Sequence, residues 1–365
     1  MLFSRFNRAY RVALGLGLAA GLQMTGGLAH AADKVLIGLA IPPTVTDGGI
    51  YAIGDEMGLF KAENIEVESV VLAGAGTIVP QLLQKKITLG FPLPETLLSA
   101  HKAGEAPLPL TYVYNANPYN SLELSVLESS NIKSIQDLKG AKIGVGALTW
   151  GTIPQTRALL RSVGLEPGKD VSIVAVGNLG SGFHALREQR VEALNFNSTW
   201  IDLMELEGTK ARRLPYPPVF ANMIVNGFLA HADTLKEQPD LLARFGRAYS
   251  QAVIACDANP KACVEAFWKR TPTARPQGDT AKALADNIEI LKRRLALVVR
   301  DAAGKDRVPG EFDLATIKAY VEAMNKYGEF TTADMPLDAY FSNKLVPDYG
   351  KFDRAALIAK AKALP

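Results

Sequence analysis

Cysteine and histidine are scarce in this chain of 365 residues, with two of the first and four of the second. Two cysteines exclude a disulfide-dense scaffold. Beyond the amino-terminal region the histidines are His101, His184 and His231, far apart and without cysteine or carboxylate at metal-ligand spacing. No metal site or cofactor is expected. Charge of one sign is also lacking: 40 basic residues against 37 acidic ones leave +3. Arg5, Arg8 and Arg11 account for that excess, so the rest of the chain balances and a nucleic-acid surface is not indicated. After Val12–Leu22 no apolar run is long enough to span a bilayer. Catalytic signatures are missing too. The chain has no Gly-x-x-x-x-Gly-Lys-Ser/Thr loop and no Gly-x-Ser-x-Gly elbow, and Gly144-Val145-Gly146 lacks the third glycine of a dinucleotide fingerprint.

The amino-terminal region is informative. Three arginines, the apolar run Val12–Leu22 and Ala29-His30-Ala31 read as a secretory signal over residues 1–31. A membrane anchor is the competing reading, disfavoured by the short, glycine-rich run. Export makes a Cys256–Cys263 disulfide across the Asn259-Pro260 turn plausible, with two buried thiols as the alternative. Neither cysteine falls on a loop assigned to the site.

The densest pattern is residues 132–165, IKSIQDLKGAKIGVGALTWGTIPQTRALLRSVGL. A capped turn ending at Gly140 delivers the chain into a strand, Ala141–Val145. A polar loop with two glycines follows, then a helix that starts near Thr152 and stops at Gly164. Strand, glycine loop and helix N-terminus together make a small-molecule site at the carboxyl end of a strand. Similar units run along the whole chain. Strands are expected at 35–40, 65–72, 88–91, 110–114, 141–145, 171–176 and 193–196, alternating with helices, which implies mainly parallel sheets covered on both faces. QLLQKKITLGF and ALREQRVEALNF each run helix, basic turn, short strand, and mark two similar halves. The loop ending at Glu95 opens a helix expected to run to near Gly104. From Leu235 onward the pattern is helical, starting with one helix over 235–255, and these C-terminal helices are expected to pack on the first half.

DLKGAKIGV, with the polar loop and helix behind it, resembles the substrate-binding proteins of ABC importers, of the nitrate, taurine and aliphatic-sulfonate type that includes thiamine-pyrimidine-precursor binders. The two half-repeats and GLFKAENIEVESV are similar to the same family by pattern rather than by identity. The resemblance implies an α/β, two-lobed periplasmic-binding-protein type II fold, each lobe a mainly parallel sheet flanked by helices, plus C-terminal helices. Lobe 1 would be residues 32–117 and 228–365 and lobe 2 residues 118–227, with hinges near 115–122 and 216–227. It also implies a small-molecule ligand, an ABC permease and an ATPase on separate chains, a periplasmic location, and a monomer. Two rivals remain: a cleft enzyme of the same fold (desulfinase- or pyrimidine-synthase-like), or a ligand-sensing domain. The enzymes use cysteine or histidine in the cleft, and both cysteines here lie in the helical C-terminal part.

Three loops pair glycine with a hydroxyl or amide before a helix: Gly74–Thr77, Ala147–Thr152 and Gly177–Ser181, with Gly76, Thr77, Thr149, Thr152, Asn178 and Ser181 as candidate ligand contacts. Such N-termini favour an anionic, sulfonate- or carboxylate-like group by about 0.3–1 kcal/mol each when exposed. Each loop alone reads better as an ordinary helix cap; three at strand ends, with the resemblance, favour binding. Thr44 belongs to the first loop of the chain. Trp150 and Trp200 are ligand walls or lobe-packing residues. Tyr114, Asn115, Asn195 and Asn197 stand at strand ends facing the cleft. Asp47 and Glu95 are the acidic residues on cleft loops; each reads first as favouring its own helix N-terminus, and Glu95, if it faces ligand, selects an amine or amino-heterocycle.

Overall fold

The computed structural model describes residues 31–72, 74–222, 226–301 and 303–365. The expected export signal, apart from Ala31, lies outside these residues. Among the described residues ten strands form: β1 (Asp33–Leu39), β2 (Ile65–Val71), β3 (Leu89–Gly90), β4 (Leu110–Asn115), β5 (Leu122–Leu127), β6 (Lys142–Val145), β7 (Ser172–Ala175), β8 (Ala193–Asn197), β9 (Ala211–Arg213) and β10 (Gly227–His231). They make two five-stranded sheets, ordered β2-β1-β3-β10-β4 and β7-β6-β8-β5-β9.

The two orders are the same once β6, β7, β8, β5 and β9 are set against β1, β2, β3, β10 and β4. In the first sheet β1 runs parallel to β2 and β3, while β10 is antiparallel to β3 and β4. In the second, β6 is parallel to β7 and β8, while β5 is antiparallel to β8 and β9. Each antiparallel strand is the one built directly after the chain crosses from the other sheet. A strand that starts at the crossing must run away from it, opposite to strands that end there. β5 and β9 add two strands to the three expected in the second half.

The half-repeats superimpose in kind. Lys85 and Gln189, both non-glycine, adopt left-handed backbone (φ 53–54°) just before β3 and β8. In both, the N–H five residues on donates back across the helix end, from Lys86 to Gln81 and from Arg190 to Ala185. That bond satisfies an orphan carbonyl and turns the chain into the strand.

Helix ends follow the local sequence. Asp279, Asp313 and Asp353 cap Thr280–Val299, Leu314–Lys326 and Arg354–Lys362 by accepting from first-turn N–H groups. The single helix expected over 235–255 is two, Ala232–Glu237 and Pro239–Ala258, because Pro239 starts a new first turn. The helix expected from Glu95 to near Gly104 is one turn, Glu95–Leu98. Cys256 and Cys263 are joined across Asn259, linking Pro239–Ala258 to Pro260–Arg270.

One hydrophobic core packs β1, β2 and helix Val45–Glu56 against Pro239–Ala258, Pro260–Arg270 and Thr280–Val299. Burying each large apolar side chain contributes about 1.5–3 kcal/mol. The C-terminal helices were all expected on the first half, and Leu314–Lys326 departs from that. Its stripe of Ile317, Tyr320, Val321 and Met324 joins a second core that contains residues of both sheets. Beyond its end, Glu329 accepts from Arg157 (2.9 and 3.0 Å to Nε) and from Arg161 (2.5 Å), both on helix Thr152–Ser162 of the second sheet. An apolar stripe at helical spacing says which face is buried, not against what.

Candidate functional site

The carboxyl ends of β1 and β3 face those of β6 and β8 across a cavity of about 120 Å³. From the first sheet come Leu39 at the end of β1 with Ala40 and Ile41 after it, then Phe91 and Leu93 after β3. Trp150 to Thr152 follow β6, Asn197 ends β8 and Thr199 follows it. Asn117 and Ser121 come from the first crossing and Asn226 from the second. The crossings are tied to each other, with Asn117 N–H donating to the Asn226 carbonyl at 3.0 Å. Carboxyl ends of inner strands, where flanking loops part, are where open α/β sheets hold ligands.

Contacts across the gap narrow the mouth. The Thr46 and Thr199 hydroxyls are 3.4 Å apart, and Arg293 donates to Asp202 at 3.2 Å. A Cβ on Gly151 would lie 3.0 Å from Leu93 and 3.1 Å from the Thr96 hydroxyl, so its bare backbone permits this approach.

Three helices aim their first turns at the cavity: Val45–Glu56, Thr152–Ser162 and Ser198–Leu206. The set differs from the expected one. The Gly76–Thr77 and Asn178–Ser181 loops follow β2 and β7, the outermost strands on that side of each sheet, and do not line the cavity. Thr77 donates back to the Gly74 carbonyl, and Ser181 packs on Gly177. Thr149 is exposed at the rim, where Gly74 approaches it from the first sheet.

Of the remaining expected residues, Asp47, Trp150, Thr152 and Asn197 line the cavity. Thr44 stands at the N-cap of the Asp47 helix, 3.0 Å from the Thr46 hydroxyl. Burial raises the Asp47 carboxyl above its ordinary value, opposed by the nearby Arg294 charge and by the Thr46 and Thr44 hydroxyls. The Asn197 side chain caps its own helix by accepting from Trp200 N–H. Trp200 is buried behind Trp150, ring centres 5.8 Å apart, with Phe196 completing the cluster. It supports the wall rather than forming it.

Four residues are placed elsewhere. Glu95 is fully buried and its Oε1 accepts from the Tyr320 hydroxyl, while among the described residues Oε2 has no partner. Burial pushes its carboxyl up to about 7, against the opposing effect of Tyr320. Asn195 is buried with its amide donating to Thr156 at 2.6 Å. Tyr114 and Asn115 bond Ser250 and the Glu311 carbonyl and line a different cavity. His184 is exposed and off the cavity.

Thr46, Tyr51, Phe91, Thr199, Asn226, Tyr249 and Arg294 line the cavity without having been foreseen. Tyr51 had a signal, since it lies one turn beyond Asp47 on the same helix face. Tyr249 and Arg294 had none, because helices Pro239–Ala258 and Thr280–Val299 carry them in from distant sequence.

The family profile described as NMT1/THI5 like matches residues 46–263. A Haemophilus influenzae protein named for thiamine biosynthesis is 28% identical over 236 residues, covering 62% of this chain and 70% of that protein. The alkanesulfonate-binding protein SsuA of Xanthomonas axonopodis pv. citri shares the fold, with a TM-score of 0.60 and 15% identity over 84% of this chain and 97% of that one. The periplasmic nitrate-binding protein NrtA of Synechocystis PCC 6803 gives 0.57 and 15% over 90% and 88%. The desulfurization enzyme DSZB gives 0.56 and 15% over 87% and 98%. This two-sheet chain, matched over more than half its length, belongs to the NMT1/THI5-like family and has the fold of the periplasmic solute-binding proteins.

Proposed function

We propose that the chain is an extracytoplasmic solute-binding protein that captures one small organic molecule and presents it to an ABC importer. One observation carries the reading: a cavity at inner strand ends of two like sheets, lined from both and flanked by two chain crossings. A ligand touching both walls lowers the free energy of the closed arrangement only, so capture is closure about the crossings. In this reading residues 32–117 and 228–365 form one lobe and 118–227 the other, residues 1–31 direct export to the periplasm, and permease and ATPase are separate chains.

The ligand has a flat apolar body and an anionic group. Trp150, Tyr51, Tyr249 and Phe91 supply apolar wall, while Arg294 and the N-termini of Thr152–Ser162 and Ser198–Leu206 favour negative charge. Binding rather than catalysis is supported by the cysteines, both held in one bridge away from the cavity.

The test is a thermal-shift screen of the exported, purified chain with sulfonates, carboxylates, amino acids and pyrimidines. A ligand at 100 times its Kd adds about 2.7 kcal/mol of stability. Mass spectrometry then follows each hit. Unchanged recovery supports capture, and conversion to product would overturn it in favour of an enzyme.

A further inference from the structure

Two oppositely charged side chains line the cavity without touching. Asp47 stands in the first turn of helix Val45–Glu56, and Arg294 comes from helix Thr280–Val299. Among the described residues neither has an opposite charge at ion-pair distance, although Arg294 is only 8% exposed. The near polar neighbours of Asp47 are the Thr46 and Thr44 hydroxyls. The Arg294 guanidinium donates to the Tyr119 hydroxyl at 2.5 Å, with its carbon 5.1 Å from that ring centre. A guanidinium has five N–H donors, and buried charge is costly unless paired.

The surroundings sharpen the contrast. Arg294 and Thr199 also line an adjoining cavity of about 200 Å³. There Arg213 is held by Glu123, Asp202 and Glu205 at 2.8, 2.6 and 3.0 Å, and Arg293 by Asp202 and Glu289 at 3.2 and 3.0 Å. Each neighbouring arginine thus has carboxylate partners, and Arg294 faces open space instead. Two opposite charges that line one cavity without forming an ion pair, each beside a neutral hydroxyl, are completed by a molecule that brings the complement of both.

We infer that the cleft takes an ampholyte on a flat ring, its anionic group on Arg294 and an amino group on Asp47. The inference rests on the solute-binding reading and narrows its ligand class. It assigns selectivity to Arg294, which discriminates the ampholyte from its amine-only analogue, while Asp47 discriminates it from the anion-only one. A site built for both charges leaves one of them buried and unanswered when either half is missing.

The test is calorimetry on the exported, purified chain with three probes: 4-(aminomethyl)benzoate, benzylamine and 4-methylbenzoate. The first is expected to bind at least about tenfold tighter than either of the others. Arg294→Gln should shrink its advantage over benzylamine to less than about threefold, and Asp47→Asn should do the same against 4-methylbenzoate. Arg294→Lys, which keeps the charge but not the planar fork, should retain part of the preference and so separates loss of charge from loss of fold. Equal affinities for the three probes, an advantage that survives Arg294→Gln, or no binding of 4-(aminomethyl)benzoate would each overturn the inference. Solute capture is judged separately: a chain that closes on a sulfonate or pyrimidine of the broader screen, but on none of these probes, remains a binder with a different ligand class.

Discussion

Replacing Glu95 by glutamine isolates a burial effect that distinguishes a structural carboxyl from a ligand-reading one. Glu95 is fully buried against Tyr320, with a carboxyl pushed up to about 7 from an ordinary 4.5. Between those values the folded chain holds a proton that the unfolded chain releases, so stability falls as pH rises through this window. At 1.36 kcal/mol for each pH unit of difference, the contribution of this one group declines by about 2.5 kcal/mol from about pH 5 to about pH 8. Glutamine keeps an acceptor for Tyr320 and cannot ionise. Urea unfolding of both proteins across that range, with wild type subtracted from variant, cancels the other titrating groups, Glu123 among them. The difference should grow in favour of Glu95→Gln by about 2.5 kcal/mol as pH rises. Ligand affinity should be the same in both. A difference flat with pH would refute the burial argument, and an affinity change beyond about threefold would return Glu95 to the cleft.

The remaining predictions concern the wall and the bridge. Trp150→Ala removes the aromatic wall of the cavity and should weaken ligand binding about tenfold, roughly 1.4 kcal/mol; calorimetry with a ligand from the screen that shows no change removes Trp150 from the site. Gly146→Ala would put a Cβ 2.0 Å from the Trp150 ring, so that ring must shift. The cost should be about 1–3 kcal/mol of stability together with weaker binding, and intact binding would mean that the ring position does not matter. Cys256→Ser with Cys263→Ser opens a bridge between residues seven apart. It should lower stability by about 2.5 kcal/mol in a chain-entropy estimate while leaving affinity unchanged, and lost affinity at full stability would contradict a purely structural bridge.

Much of the architecture was legible because it rests on local rules. Alternating strand and helix patterns and glycine stops such as Gly140 and Gly164 are decided within a few residues, and they recur in the folded chain. β5 is not among the expected strands, because Leu122–Leu127 directly follows the Asn- and Pro-bearing stretch 115–122 that reads as a hinge. Within the site, Trp150, Thr152, Asn197 and Asp47 were legible, since a polar loop that opens a helix at an inner strand end must face the cleft. Gly76, Thr77, Asn178 and Ser181 carried the same local signature and fell off the cavity, because their strands lie at sheet edges. Sequence by itself determined most of the alternating strands and helices and their glycine stops, since these depend on the chain's own backbone and nearest neighbours. Tertiary structure alone decided sheet order, the burial of Glu95 under Tyr320, and the placing on one cavity of Asp47 and Arg294, residues 247 positions apart by number. Which helix brings a charge to a distant cavity is fixed by how apolar faces pack, and those faces are non-directional about their partners.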